Sequence, residues 1–361
     1  MNAKHPHAHT PNKPNELRLV AWETTRNCNL ACVHCRASAS MGPHEGELGS
    51  AEALRLLDQI AEVGKPIIIL TGGEPLLRSD IFDIARYGTD LGMRMVMALN
   101  GTLITETVAQ ELVDAGIQRI SVSLDGSSAE THDRFRQVEG AFEGTLRGID
   151  LLKKVGMEFQ INTTITKTNL EQIAKIQELA IDLGAVAHHI FLLVPTGRGK
   201  YIVDQEIDAA EYESTLNWFY DQRAITPLQL KATCAPHYYR ILRQRAKKDG
   251  LSVSFQTHGL DAVTRGCLGG IGFCFISHRG IVQPCGYLDL NSGDVRQSSF
   301  AEIWNHSDIF LELRNYDKLK GKCGPCEFKR VCGGCRARAY EATGDFMNEE
   351  PLCSYQPRSK K

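Results

Sequence analysis

Residues 17–35 read Leu17-Arg18-Leu19-Val20-Ala21-Trp22-Glu23-Thr24-Thr25-Arg26-Asn27-Cys28-Asn29-Leu30-Ala31-Cys32-Val33-His34-Cys35. A short apolar run leads into three cysteines, with three residues between the first pair and two between the second. Three thiolates bunched on one short loop can ligate three irons of a four-iron, four-sulfur cube and leave the fourth iron without a protein ligand. An open iron is a place for a small molecule, so the spacing predicts reactive chemistry and not electron storage alone. Structural zinc is the alternative, but it takes four protein ligands, and His34, between two of the cysteines, is the candidate for a fourth.

Outward from this loop the chain alternates. Apolar runs rich in β-branched residues lie at Leu17–Trp22, Pro66–Leu70, Arg94–Ala98, Arg119–Leu124, Glu158–Thr164 and His189–Val194. Amphipathic stretches of helical period separate them, at Ser50–Val63, Ile81–Leu91, Thr105–Ala115 and Ala141–Lys154. This alternation predicts βαβ units and a parallel sheet. Six units are too few for a closed eight-stranded barrel and suit a partial one, whose site would lie at the C-terminal strand ends. The three-cysteine loop, Thr71-Gly72-Gly73-Glu74-Pro75, Asn100-Gly101-Thr102, Leu124-Asp125-Gly126 and Pro195-Thr196-Gly197-Arg198-Gly199-Lys200 all fall at such ends.

Cys28-x3-Cys32-x2-Cys35 after the first run, with Gly72-Gly73-Glu74-Pro75 after the second, resembles the radical S-adenosylmethionine (radical SAM) superfamily. The resemblance spans roughly residues 17–200 and implies a partial (β/α)6 barrel with a [4Fe-4S] cluster. In that family the open iron chelates the methionine moiety of S-adenosylmethionine, whose cleavage gives a 5′-deoxyadenosyl radical. By motif, Cys28, Cys32 and Cys35 would hold the cluster, and Gly72, Gly73 and Glu74 would contact the methionine amine. Asn100, Ser123 and Asp125 lie where family members touch the ribose or nearby groups. Arg136 would hold the methionine carboxylate, since a guanidinium can grip one bidentately; a surface ion pair is its other reading. His34 stands where the family usually has an aromatic, a mild departure that still permits stacking.

The other cysteines crowd the C-terminal part. Cys267, Cys274 and Cys285 are followed by Cys323-x2-Cys326-x5-Cys332-x2-Cys335 and a distant Cys353. This pattern resembles the SPASM extension of radical SAM enzymes over roughly residues 260–357, with a pair of zinc ribbons as the alternative. The resemblance implies auxiliary cluster I on Cys267, Cys274, Cys285 and Cys335, and auxiliary cluster II on Cys323, Cys326, Cys332 and Cys353. Together with the first cluster this makes three [4Fe-4S] clusters. The family usually has three residues before the fourth cysteine of the Cys-x2-Cys group; here there are two, Gly333 and Gly334. Cys234 stands apart from both groups and reads as a buried inert thiol, with a radical-relay thiol as the other option. The expected organisation is a tail over 1–15, the barrel over 16–200, a helical bridging region over 201–260 and the auxiliary-cluster domain over 261–361.

Several stretches resemble the siroheme-dependent branch of heme biosynthesis, among them Thr233-Cys234-Ala235-Pro236-His237-Tyr238-Tyr239-Arg240 and Cys332-Gly333-Gly334-Cys335-Arg336. The resemblance implies conversion of two propionates of iron-coproporphyrin III to vinyl groups, the last step to heme b. Removal of acetate side chains from 12,18-didecarboxysiroheme and modification of a peptide are the alternatives. A peptide enzyme should carry a binding adaptor before the first strand, and the polar residues 1–15 do not read as one. A tetra-anionic porphyrin needs cations and an apolar slot, so Arg198 and Lys200 are the expected propionate anchors. His188, His189 and His237 are candidates for the heme iron or a carboxylate, and Tyr238 for a substrate contact. For each histidine a packed or surface position is the alternative, and for Tyr238 a place in the core.

The 361 residues are 42% hydrophobic and 23% charged, with a net charge of −2, so neither nucleic acid nor a membrane surface is an expected partner. With no long apolar run or hydrophobic signal core, the expected location is the cytoplasm. There, twelve cysteines point to metal ligation over disulfides. A ferredoxin- or flavodoxin-type donor is expected to supply electrons, with a monomer as the default state. His5, His7 and His9 in the proline-interrupted tail read as solvated residues, with metal binding as the alternative.

Overall fold

A computed structural model describes residues 15–358, leaving the side chains of residues 260 and 263 aside. The expected tail with His5, His7 and His9 lies outside the described residues. One sheet runs through the molecule in the order β10-β9-β8-β1-β2-β3-β4-β5-β6-β7. Six strands come from the predicted runs: β1 (Leu19–Thr25), β2 (Ile67–Gly72), β3 (Arg94–Leu99), β4 (Ile120–Ser123), β5 (Phe159–Ile165) and β6 (Ala187–Leu192). The helices between them are α1 (Ser50–Val63), α2 (Ile81–Asp90), α3 (Glu106–Asp114), α4 (Ala129–Arg136), α5 (Ala141–Lys154) and α6 (Ile173–Asp182). Helix α1 shows why they cover one face. Its Ala53, Leu56, Leu57 and Ile60 fall three and four residues apart, so one stripe buries them against the sheet. Each of the leucines and the isoleucine contributes roughly 1.5–3 kcal/mol when fully buried.

Period-2 alternation sorts every strand into two faces. Val20, Trp22, Ile68, Leu70, Met95 and Met97 point outward into the apolar layer under the helices. Their neighbours Leu19, Ala21, Ile67, Ile69, Val96 and Ala98 all line one central cavity. Because inward residues of strands at both ends of the parallel set line that same cavity, the sheet curls around it as a partial barrel.

Two strands extend the barrel beyond the six units. The expected helical bridge over 201–260 contains α7 (Ala209–Gln222) and α8 (His237–Lys248), but also β7 (Gln229–Thr233), which pairs in parallel with β6. Gln-Leu-Lys-Ala-Thr is too short and too polar to read as a core strand; the open edge of β6 recruits it. On the other flank, β8 (Phe273–Ile276) pairs in parallel with β1. Strands β9 (Ile281–Gln283) and β10 (Gly293–Asp294) continue the sheet antiparallel. Eight strands therefore run parallel, and among the described residues no pairing joins β7 to β8, so the barrel stays open. A second apolar core, with Ile190, Leu192, Tyr212, Phe219 and Leu242, packs α7 and α8 on the β6–β7 side.

Candidate functional site

The loop after β1 is held from several directions. Arg198 donates from Nε to the Cys32 carbonyl at 2.8 Å and from Nη1 to the Ala39 carbonyl at 2.7 Å. Its backbone N–H reaches the Cys35 carbonyl at 2.9 Å. Val33 N–H donates to the Phe135 carbonyl at 3.0 Å, tying the loop to α4. Beside Cys35, Arg36 pairs with Glu23 at 3.1 Å, and Glu23 bonds His278 Nδ1 at 2.6 Å. Burial alone would raise the Glu23 carboxyl, yet Arg36 and His278 hold it down to about 2. That buried carboxylate thus joins the end of β1, the cysteine loop and the loop after β8.

Each thiol of this loop has a donor on its sulfur: Leu30 N–H on Cys28 at 3.4 Å, Ala39 N–H on Cys35 at 3.4 Å, and Arg136 Nη1 on Cys32 at 3.5 Å. Donors to sulfur favour the thiolate. Burial still pushes the Cys28 thiol up to about 12, with Glu74, Cys32 and Cys35 nearby adding to it. Such thiols ionise when a cation joins them, which is the condition a cluster supplies. Among the described residues no three His, Cys, Asp or Glu side chains converge on a point that could hold a single metal ion, whereas a cube takes each thiolate on a different iron.

Cys28, Cys32 and Cys35 open onto the central cavity, whose volume is about 2740 Å³. Gly72, Gly73, Asn100, Ser123, Asp125 and Arg136 line it as well. Glu74 does not. It is 0% exposed, and its carboxylate accepts from Asn100 N–H at 2.7 Å and Leu76 N–H at 3.3 Å. It therefore braces the ends of β2 and β3, one residue beyond the two glycines that line the cavity. Burial raises this carboxyl to about 7, against the pull of those two amides. Arg136 is ion-paired with Asp125, whose other oxygen accepts from Thr164 N–H at 2.7 Å. His34 lies 3.9 Å from the same carboxylate and against the Phe135 ring at 4.8 Å. Burial lowers its pKa to about 4, so it is neutral at pH 7.

The substrate-side candidates separate. His189 faces the cavity, bonded to Gln160 at 2.9 Å. Its neighbour His188 points the other way along β6, is fully buried, and bonds Thr163 Oγ1 at 3.0 Å. Arg198, expected on propionates, lines the cavity but spends Nε and Nη1 on the cysteine loop, leaving Nη2 without a hydrogen-bond partner. Lys200 pairs with Glu341 at 3.3 Å, more than half exposed, outside the cavity wall. Tyr238 is buried in the core between α7 and α8, with its hydroxyl receiving Arg223 at 3.2 Å; Tyr239 is the one that reaches the cavity. His237 lies instead with Cys323, Cys326, Cys332 and Cys353 around a separate pocket, with neither ring nitrogen bonded.

Cations missed by the sequence reading do face the cavity. Lys231 is on the inward side of β7, and Arg265 stands two residues before Cys267 with Nε and Nη1 unpartnered. A strand over 229–233 would have revealed Lys231, but its polar sequence hid it.

Eleven of the twelve cysteines fall into three places. Besides the first loop, Cys267, Cys285 and Cys335 line the central cavity. Cys323, Cys326, Cys332 and Cys353 line the separate pocket. Cys274 belongs to neither. Strand β8 sets it opposite Val20 in register, 0% exposed in the outer apolar layer, while Phe273 and Phe275 take the inward face. The position expected to complete auxiliary cluster I is on the wrong side of the sheet. Cys234 is a cavity-lining residue and not an isolated one.

Residues 22–180 match the radical SAM superfamily, and residues 267–335 match the SPASM iron-sulfur cluster-binding domain. The chain is 57% identical, over 98% of both chains, to the AdoMet-dependent heme synthase of Nitratidesulfovibrio vulgaris. It is 31% identical to the Fe-coproporphyrin III synthase of Methanosarcina barkeri, over 93% of this chain and 87% of the relative. In fold it is similar to Streptococcus suis SuiB bound to S-adenosylmethionine, with a TM-score of 0.75, 17% identity, and coverage of 94% of this chain and 78% of that one. Among the described residues no helix is long and apolar enough to cross a membrane.

Proposed function

This chain belongs to the AdoMet-dependent heme synthases of the radical SAM superfamily, and on that premise we propose that it makes heme b by oxidative decarboxylation of two propionates of iron-coproporphyrin III. It is an enzyme of radical SAM heme synthesis, with S-adenosylmethionine and a [4Fe-4S] cluster implied by the family and auxiliary iron–sulfur clusters by the SPASM domain. When bound, these groups supply a hydrogen-abstracting 5′-deoxyadenosyl radical and an electron acceptor. The stoichiometry asks for both. Turning one propionate into a vinyl group removes a hydrogen atom from the carbon next to the ring, then carbon dioxide and one electron.

The observation that carries the reading is that one cavity of about 2740 Å³ is lined both by Cys28, Cys32 and Cys35 and by Cys267, Cys285 and Cys335. Ligand pockets commonly measure roughly 300–1,000 Å³, so the space suits a macrocycle together with its co-substrate. Phe191, Phe273, Phe275 and Tyr287 give it apolar walls. Lys231 and Arg265 supply cations for propionate carboxylates, while Arg198 also lines the cavity with two nitrogens on the cysteine loop and Lys200 lies outside the wall. Neutral His34, Asp125, Arg136 and Asn100 form the polar end beside the first cysteine loop, where the co-substrate would be oriented. In our reading Cys28, Cys32 and Cys35 hold the radical SAM cluster, and Cys323, Cys326, Cys332 and Cys353 the outlying auxiliary cluster. The reading also takes a ferredoxin- or flavodoxin-type donor, a monomer and a cytoplasmic location. Anaerobically reconstituted protein given iron-coproporphyrin III, S-adenosylmethionine and reductant should form monovinyl and then divinyl product. Release of 5′-deoxyadenosine without either product would refute the substrate, and the same assay with didecarboxysiroheme tests the alternative.

A further inference from the structure

Cys234 stands directly after β7, at the C-terminal strand end where barrel sites are built. Its backbone is left-handed, with φ 55°, a conformation that a side-chain-bearing residue holds when its surroundings impose it. The surroundings are specific. The Cys234 carbonyl accepts from Tyr212 Oη at 3.0 Å and from Arg338 Nη1 and Nη2 at 3.4 and 3.3 Å. Arg338, 1% exposed, belongs to the helix Arg336–Thr343 that begins after Cys335. It also pairs with Glu350 at 3.3 Å, and Glu350 accepts from Cys335 N–H at 2.6 Å. One buried ion pair therefore fixes Cys234 and Cys335 relative to each other.

Cys234, Cys285 and Cys335 pack in a single cluster with Val194, Leu288 and Ala337. Together with Cys267, all three line the central cavity. Cys274 cannot join them. Turning it inward would need a one-residue slip of β8 against β1, which would drive Phe273 and Phe275 into the helix layer.

Resting on the iron–sulfur reading above, we propose that Cys234, and not Cys274, is the fourth thiolate of the auxiliary [4Fe-4S] site shared with Cys267, Cys285 and Cys335.

The test compares reconstituted Cys234→Ala with Cys274→Ala and Cys274→Val, by iron and sulfide per chain and by EPR and Mössbauer spectra of the reduced clusters. Cys234→Ala is expected to lose the iron of one cluster or to show a three-iron cluster. At least one apolar replacement of Cys274 is expected to keep the wild-type complement and spectra. A wild-type spectrum in Cys234→Ala, or cluster loss in both Cys274 variants, overturns the assignment. Should Cys234→Ala not yield folded protein, Cys234→Ser is read in its place, since an oxygen ligand alters the spectrum; a spectrum identical to wild type again overturns it. Wild-type protein holding iron for one cluster would instead refute the iron–sulfur reading itself, and this assignment with it.

Discussion

Replacing Arg198 with lysine separates two roles for one cation. Its fork bridges two carbonyls of the loop that carries the first three cysteines, Cys32 at 2.8 Å and Ala39 at 2.7 Å. A lysine has one nitrogen at its tip and cannot hold both in that geometry. The loop keeps the backbone bond from residue 198 to the Cys35 carbonyl, at 2.9 Å, but loses at least one charge-assisted hydrogen bond, about 2 kcal/mol. That shifts the balance between seated and displaced loops roughly 30-fold towards displaced. The assays are iron at the first cluster, release of 5′-deoxyadenosine without porphyrin, and KM for iron-coproporphyrin III. Arg198→Lys should lower iron content and 5′-deoxyadenosine release together and leave KM unchanged. Full iron and undiminished release with a raised KM would refute the clamp and restore the propionate anchor.

Lys231→Met should do the reverse, raising KM for the porphyrin about 10- to 100-fold, the worth of one charge-assisted bond, while porphyrin-free 5′-deoxyadenosine release stays at the wild-type rate. Gly73→Ala should empty the first cluster, because a Cβ there would meet the Asn27 carbonyl oxygen at 2.1 Å, one residue before Cys28; iron analysis with retained auxiliary spectra checks it. Glu74 gives a pH dependence of stability. Its carboxyl rises from the ordinary 4.5 to about 7 in the fold, so its contribution is fully present below pH 4.5 and lost as pH rises through about 7. The shift corresponds to about 3 kcal/mol. Anaerobic denaturation of wild type against Glu74→Gln should show a difference that changes over that window; a constant difference would contradict the burial argument.

The barrel was legible because its strands are buried on one face under helices, and such strands read as β-branched apolar runs. Strand β7 escaped because Gln229 to Thr233 packs at an edge beside the cavity, with Lys231 turned inward, and so carries no apolar run. The same alternation that makes strands readable decides which neighbour does what. His189 faces the cavity and His188 the core; Phe273 and Phe275 face the cavity and Cys274 the core. Cysteine spacing marks a set of thiols but is blind to this parity, which turns Cys274 away from the cavity that Cys234 lines. Likewise a glycine-rich loop with Arg198 and Lys200 looks like an anion site. The folded chain turns the first onto backbone carbonyls and the second onto Glu341.

The unusual spacing of Cys332 and Cys335 follows from where their thiols go. Cys332 lines the outlying pocket and Cys335 the central cavity, so two residues must carry the chain across the boundary between two thiol groups. Gly333 and Gly334 do so with φ of 77° and 64°, both left-handed, where a side chain would be strained. A Cβ on Gly334 would also stand 2.3 Å from Arg336 Nη2 and 3.3 Å from Cys323 Sγ. The missing third spacer is thus compensated by a tighter turn, and the tightness brings the two groups together through the shortest stretch of backbone. With clusters held as proposed, a cavity-side acceptor so joined to an outlying one would give the electron left by each decarboxylation a way out of the cavity. Under the proposed assignment the three cysteine groups would be used in the order Cys28, Cys32 and Cys35, then Cys335 across the substrate cavity, then Cys332 at the outlying pocket.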